Sequence, residues 1–419
     1  VVNPQNDPTG GAAPSEPVDI AIYGATGFVG GLTARHLAEH APPGLRIALA
    51  GRSEAKLAAT RAGLPAAARE WPLIVADSAD RAATDRLASA ARVVLTTVGP
   101  YAKYGSRLVE SCARAGTHYA DLTGEVLFVR DTIDRCHGVA ESTGARIVHS
   151  CGYDSIPSDL GVWLAHTAAA ADDAGGLTEV RTVATMRGGV SGGTIDSLRG
   201  HIDAVRADPA QRRLAADPHT LSPDRSAEPT PSQPSDAGRP ARLDDGTWTA
   251  PFVMASHNTR IVRRSNALLG HAYGAGLRYG ELQGCGKGPA GALAAAGITG
   301  GLGALVGAFM VPAVRPLLDR ALPSPGAGPS ERTRERGWFR MDVRARTESG
   351  RRYRVTVAGP GDPGYAATAV MLGESGIALA TGGAALPGRA GSLTPATAMG
   401  DVLVDRLRAA GHTYRVAPG

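Results

Sequence analysis

The stretch Val18–Gly30, VDIAIYGATGFVG, sets three glycines three residues apart directly behind an apolar run. An apolar run that stops at glycine reads as a buried parallel strand. The following residues space Leu32, Leu37 and Ala38 on one helical face, with charges opposite. A glycine loop between strand and helix is the setting in which a dinucleotide pyrophosphate is held. Gly24 permits the tight turn, Gly27 lets backbone approach the phosphates, and Gly30 lets helix and strand pack closely. The free N–H groups of Ala25, Thr26, Phe28 and Val29 and the positive helix end complete the expected cradle.

Strand and helix signals then alternate. LRIALAG (Leu45–Gly51), PLIVAD (Pro72–Asp77), ARVVLTTVG (Ala91–Gly99), HYADL and ARIVHSCG (Ala145–Gly152) read as further strands, with helices between them. The pattern predicts an α/β protein with a Rossmann-type doubly wound parallel sheet over residues 18–155. Residues 1–17 are polar and rich in Pro and Gly and read as a disordered tail. Past Asp159 the rhythm becomes that of antiparallel strands, which predicts a second mixed α/β domain over 156–360. Ser349–Arg351 would turn its last hairpin, and 207–246, crowded with Pro, Asp and Ser, reads as an irregular loop. C-terminal helices fill 361–419, the last with Thr394 as N-cap, Pro395 at its first position and Gly411 past its end.

The second strand refines the cofactor. An Asp or Glu at its end would select a free ribose hydroxyl. Here it ends AGRS, placing Arg52 and Ser53 there. An Arg fork with a neighbouring hydroxyl suits a 2′-phosphate, so the expected cofactor is NADP(H). Asp77 would accept from the adenine amino group or serve as a turn residue, and Val98, Gly99, Pro100 and Tyr101 would line the nicotinamide ribose.

Other chemistries are disfavoured. Lysine occurs only at Lys56, Lys103 and Lys287, and none follows a Tyr by four residues as short-chain reductases require. GVSGG (Gly189–Gly193) fits a nucleophile elbow, but a hydrolase would not need the phosphate loop. Cys112, Cys136, Cys151 and Cys285 form no C-x-x-C and no zinc spacing, so free thiols in a reducing, cytoplasmic setting and no metal are expected. The net charge of +5 comes without a Lys/Arg stripe, which argues against nucleic acid.

IAIYGATGFVG, AGRS, TTVGPYAKYG, YADLTGE, CGYDSIPSDLG, SGGTIDS, DPGYAATAVMLGESGIALA and LTPATAMGDVL occur in this order. Together they resemble the saccharopine dehydrogenase-like oxidoreductases, and among these the trans-acting enoyl reductases of polyketide-lipid assembly, over roughly residues 18–410. The resemblance implies NADP binding, C-terminal helices that return to the first domain, and reduction of a carbon–carbon double bond. The substrate would be a polyketide or fatty acyl chain carried by a separate synthase, for phthiocerol-type lipids. It supplies no catalytic residue. Enoyl reduction needs a donor to the enolate oxygen and an acid. HSCGYDSIPSD lies just past a strand, so Tyr153 is the first candidate and Asp154 and Ser155 are alternatives. YADLTGE adds Tyr119, Asp121, Thr123 and Glu125; each of these residues also has a structural reading as core, turn or cap. His118 and His149 read as core or surface residues.

Two other functions compete. A saccharopine-type imine or amino-acid reductase would use basic residues such as those of NTRIVRRSNAL (Asn258–Leu268). A non-catalytic NADP(H)-binding sensor or scaffold needs only the nucleotide motifs. Residues 288–314 contain no charge, exceed the roughly 20 residues that span a bilayer, and carry G-x-x-x-G spacings at Gly297/Gly301 and Gly303/Gly307. Flanking strands of one sheet argue against spanning. The remaining readings are a core or homodimer helix, or one that meets a peripheral membrane or walls an acyl tunnel.

Overall fold

The computed structural model describes residues 16–188, 192–229, 231–315, 318 and 330–419. Most of the expected N-terminal tail and Ser191 of the elbow pattern lie outside them. The first sheet contains β1 (Val18–Tyr23), β2 (Ile47–Gly51), β3 (Leu73–Val75), β4 (Ala91–Thr96), β5 (His118–Ala120) and β6 (Arg146–Val148). The second contains β7 (Leu177–Arg187), β8 (Ala241–Arg242), β9 (Thr247–Pro251), β10 (Arg278–Lys287), β11 (Trp338–Thr347) and β12 (Arg352–Pro360). Two late strands, β13 (Gly391–Leu393) and β14 (Thr413–Pro418), go one to each sheet.

The first sheet runs β13-β6-β5-β4-β1-β2-β3 and every pair in it is parallel. Its order reverses between β1 and β4, and ligands of open α/β sheets bind in the crevice beyond such a switch point. The second sheet runs β14-β12-β11-β7-β10-β9-β8. It is mixed: β7 lies parallel to β10 and antiparallel to β11. The β11–β12 hairpin closes through Gly350 at φ 84°, at the expected Ser349–Arg351 turn.

The C-terminal part does more than return helices to the first domain. Helix Ala366–Thr381 packs on the parallel sheet so closely that a Cβ at Gly376 would lie 2.7 Å from Leu95. His36 reaches Glu374 at 2.8 Å, and Arg406 flanks the same carboxylate at 2.8 Å. β13 extends the parallel sheet beside β6, while β14 pairs with β12 in the other sheet. Three-residue β13 is too short to show a period, which is why its sequence did not announce a strand.

The irregular loop expected over 207–246 is partly ordered. Pro209–Ala216 is a helix because Asp208 caps Ala210 N at 2.7 Å and Pro209 occupies the first turn. Arg260, Arg263 and Arg264 on helix Ala255–Leu268 then hold this region to the body. Arg260 bonds Asp236 and the Ala215 carbonyl, Arg263 the Tyr279 and Pro218 carbonyls, and Arg264 the Leu221 and Ser392 carbonyls.

Candidate active site

One cavity of about 710 Å³ runs from the glycine loop, past the ends of β1, β2 and β4, to the inner wall of the second domain. The loop geometry fits a dinucleotide. Gly24 sits at φ 87°, where L side chains are strained, and a Cβ there would lie 2.8 Å from Thr97 and Val98. A Cβ at Gly30 would lie 2.1 Å from the Gly24 carbonyl oxygen, so only glycine lets this helix meet this strand. At Gly27 the nearest atom is 3.2 Å away. That is a tight contact but not an overlap, and helix Phe28–His40 begins at Gly27 with its first-turn N–H groups at the cavity.

Gly24, Thr26, Gly27, Phe28, Val29, Arg52, Asp77, Val98, Gly99, Pro100 and Tyr101 all line the cavity. Three of the expected cofactor residues do not. Ala25 is fully buried in the core, and Gly30 serves the helix–strand approach. Ser53 caps helix Glu54–Ala62 by accepting from Lys56 N. The exposed Arg52 is therefore the side chain at the end of β2 left for a 2′-phosphate. Asp77 accepts from Ala79 N at 2.8 Å as an Asx turn, and this leaves its second oxygen for a ligand.

Of the three catalytic candidates, Asp154 alone reaches the cavity. It precedes helix Ile156–Ala171 and is shielded from bulk water, which raises its carboxyl from 3.8 to about 7. Its charge is felt at Tyr101, which places it near the end of β4. Tyr153 turns the other way. Its ring packs edge-on to Phe339 at 5.2 Å and its hydroxyl lies 3.6 Å from Met341 Sδ, inside the second domain. Tyr119 is fully buried and its hydroxyl donates to Asp121 at 2.9 Å. Both tyrosines precede or follow the reactive loops, but apolar rings were drawn into the core and carried their hydroxyls with them.

The YADLTGE segment is a brace. Asp121 accepts from His149 Nδ1 at 2.7 Å, Ser150 N at 2.9 Å and Thr123 N at 3.0 Å, locking the ends of β5 and β6 together. Glu125 accepts from Tyr101 N at 2.9 Å and Ala102 N at 2.8 Å, fixing the turn beyond β4. Ser155 donates to Asn258 at 3.1 Å. His118 accepts from Arg146 N and burial lowers it to about 4; neither it nor His149 lines the cavity.

The far wall was not visible in the sequence. It is made by Leu122, Gly124 and Val126, by Asp196, Ser197, Leu198 and His201 of helix Gly192–Ala207, by Val253, Met254 and His257, and by Tyr365 and Thr368. His257 Nε2 lies 2.7 Å from Ser150 Oγ, and burial drops the imidazole to about 3, so it stays neutral. Arg260, Arg263 and Arg264 are absent from the wall. The GESG and DPGY motifs contained the signal for Tyr365, but nothing local says that a C-terminal residue returns to the first domain's loop.

A parallel sheet with a glycine cradle at its switch point, an arginine at the end of β2 and a half-buried acid beside the β4 end are the parts of an NADP-dependent oxidoreductase. The family described as saccharopine dehydrogenase NADP binding domain matches residues 20–148. A Mycobacterium tuberculosis protein named "Putative trans-acting enoyl reductase" is 48% identical over 409 residues, covering 96% of this chain and 97% of that protein. The "Trans-acting enoyl reductase" of Mycobacterium ulcerans is 46% identical, covering 93% and 95%. The chain belongs to the trans-acting enoyl reductase family, on the saccharopine dehydrogenase fold. Among solved structures, a Saccharomyces cerevisiae saccharopine dehydrogenase superposes with a TM-score of 0.53 at 13% identity, covering 96% of this chain and all of its own.

Proposed function

We propose that the chain reduces the carbon–carbon double bond of an enoyl thioester, on a polyketide or fatty acyl chain delivered by a separate synthase. The observation that carries this reading is the composition of the far wall. Beyond the cofactor cradle the cavity offers Leu122, Val126, Leu198, Val253 and Met254 beside the uncharged or acidic Asp196, Ser197, His201 and His257, and Arg52 at the opposite end is the one Arg or Lys among its described lining residues. A saccharopine-type amino-acid substrate would need cations for its carboxylates, and the three arginines of helix Ala255–Leu268 are spent on backbone carbonyls and Asp236.

NADPH, when bound, supplies the hydride to the β-carbon. The chain's residues do the rest. The cradle and Arg52 hold the cofactor's phosphates, and Glu125 fixes the turn at Tyr101. The apolar side chains of the wall give the acyl chain its contacts, while the polar ones beside them face the thioester oxygen on which negative charge builds. Asp154, neutral below about pH 7, holds a proton for the α-carbon or the enolate oxygen. The test is NADPH oxidation, followed by nicotinamide absorbance, with enoyl thioesters of graded chain length. Turnover that rises with chain length supports the reading; turnover only with an imine or keto-amino acid replaces it. Tight NADPH binding with no turnover on any of these favours a sensor or scaffold.

A further inference from the structure

Helix Gly288–Met310 is the most apolar helix long enough to cross a membrane among the described residues, with mean hydropathy 1.7, yet only 11% of that stretch is buried. Leu293 is 75% exposed, and Ile298, Met310 and Val311 are also exposed. These four are the majority of the seven large hydrophobic side chains exposed among the described residues, and all four lie on this helix or directly past its end. Helix Ala366–Thr381 is also apolar, and it is covered nearly throughout. Composition alone therefore does not leave a helix bare in this protein.

The helix is fixed at its ends and packs one side on β9, with Ala295 buried and Leu302, Leu305 and Val306 half-buried, and the rest of its length is open. At the start, a Cβ on Gly291 would lie 2.4 Å from the Gly286 carbonyl oxygen of β10. At the finish, Phe309 is buried beneath Arg199, Arg206 donates to the Met310 carbonyl, and Arg315 pairs with Asp203. In between, a Cβ at Gly297, Gly300, Gly301, Gly303 or Gly307 would meet nothing. Among the described residues these glycines serve no close packing. A helix apolar all round calls for a non-aqueous neighbour.

We infer that this helix seats the protein on an anionic membrane surface. The uncharged helix is bounded by exposed cations, Lys287 before it and Arg206 at its last turn, and contains no carboxylate; Arg315 beyond it is already paired with Asp203. A second copy placed antiparallel across a two-fold axis would set Lys287 of one helix against the arginine end of the other. An anionic bilayer meets both ends favourably. A spanning helix is excluded by topology, since β10 ends at Lys287 and β11 starts at Trp338, and both pair with β7. The helix also braces helix Gly192–Ala207, whose Asp196, Ser197, Leu198 and His201 face the cavity. The docked protein would thus hold its cavity wall against the lipid phase. That use, taking in a lipid-borne chain, rests on the enoyl reading; the docking does not.

The experiment is flotation of the full chain with vesicles of mixed phosphatidylglycerol and phosphatidylcholine, and with phosphatidylcholine alone. Wild type is expected to float with the anionic vesicles and release at high salt. Leu293→Asp with Ile298→Asp changes exposed positions, so NADPH binding and thermal unfolding should persist while the bound fraction falls about tenfold or more. Lys287→Glu should weaken anionic-vesicle binding alone. Failure of wild type to bind either vesicle overturns the inference, as does binding unchanged by the double Asp variant. A wild-type dimer by light scattering that the Asp variant dissociates, with no flotation, assigns the patch to a second copy and overturns it too. Loss of all enoyl turnover with flotation retained would remove the enoyl reading and leave the docking.

Discussion

The two ends of the cavity are held in different ways. At the cofactor end Gly24, Gly27 and Gly30 act through backbone, within one loop, and their spacing is their function. At the other end Asp154, His201, Met254 and Tyr365 present side chains that four separate segments bring together. A backbone site fails sterically when a Cβ is added. A side-chain site loses chemistry when a functional group is removed and keeps its fold. Mutations at the two ends should therefore read out differently.

The largest effect is expected at Gly30. Alanine there would put a Cβ 2.1 Å from the Gly24 carbonyl, a backbone clash that cannot relax by a side-chain turn. We expect a loss of about 3 kcal/mol or more and a sharply lower Tm. Gly27→Ala, whose Cβ would press on the same oxygen at 3.2 Å without overlapping it, should lower Tm far less while weakening NADPH binding. Thermal unfolding with and without NADPH separates the two. Equal Tm values for both variants would mean that the loop relaxes and that the steric account is wrong.

Asp154→Asn comes next and tests the other end. Turnover should fall about 10²-fold or more with NADPH affinity intact, the range for a lost general acid. The pH dependence has a definite sign. The folded carboxyl titrates at about 7, above its ordinary 3.8, so between these values the folded chain holds a proton that the unfolded chain releases. Stability from this group is full below about pH 4 and is lost as pH rises through 7. Glu281 at about 7 and Asp159 at about 6, both raised by burial, add to the same slope. Wild type should lose both activity and stability as pH rises through 7, and the Asn variant should show a flatter activity profile and a gentler stability slope.

This contrast also explains what the sequence disclosed. The parallel sheet, the cradle, Arg52 and the C-terminal cap at Thr394 are written in local patterns, where glycine, strand period and cap chemistry suffice. Thr394 closes a capping box with Thr397, and β1 through β6 fall where apolar runs end at turns. Ser53 could not be resolved locally, because a cap and a phosphate ligand are the same hydroxyl at the same place. The far wall needs long-range contacts: Tyr365 meets Phe28 edge-on at 5.1 Å across most of the chain length. Glu125 was visible as a polar residue near a strand end, but its work on Tyr101 N is tertiary. Residues 288–314 read equally as core or surface, since composition does not say what covers a helix.

Arg52→Ala should have a moderate effect confined to the cofactor end. With Ser53 committed to its helix, the guanidinium is the charged group left for the 2′-phosphate. A lost charge-assisted bond is worth about 1.5–3 kcal/mol, so NADPH binding should weaken about tenfold or more while NADH binding barely moves. Titration of both cofactors checks this. Equal weakening of both would make Arg52 a structural residue of the β2 turn.

The smallest effect belongs to Tyr153→Phe, and its smallness is the point. Tyr153 lies one residue from Asp154, so sequence distance would give the two hydroxyl and carboxyl groups the same site. The structure separates them: the phenol lies in the second domain's core, 3.6 Å from Met341 Sδ, a weak acceptor, and the carboxyl faces the cavity. Removing the hydroxyl forfeits a poor hydrogen bond and leaves the ring's contact with Phe339 in place. The stability change should stay within about 1 kcal/mol, and kcat and KM for NADPH should be unchanged. Tyr153→Ala is the needed partner, because it empties a buried ring site and should cost about 3–5 kcal/mol. A Phe variant that is as stable as wild type but slowed as much as Asp154→Asn would show that the loop turns over on binding and brings the phenol into the cavity. The assignment of the acid would then pass from Asp154 to Tyr153.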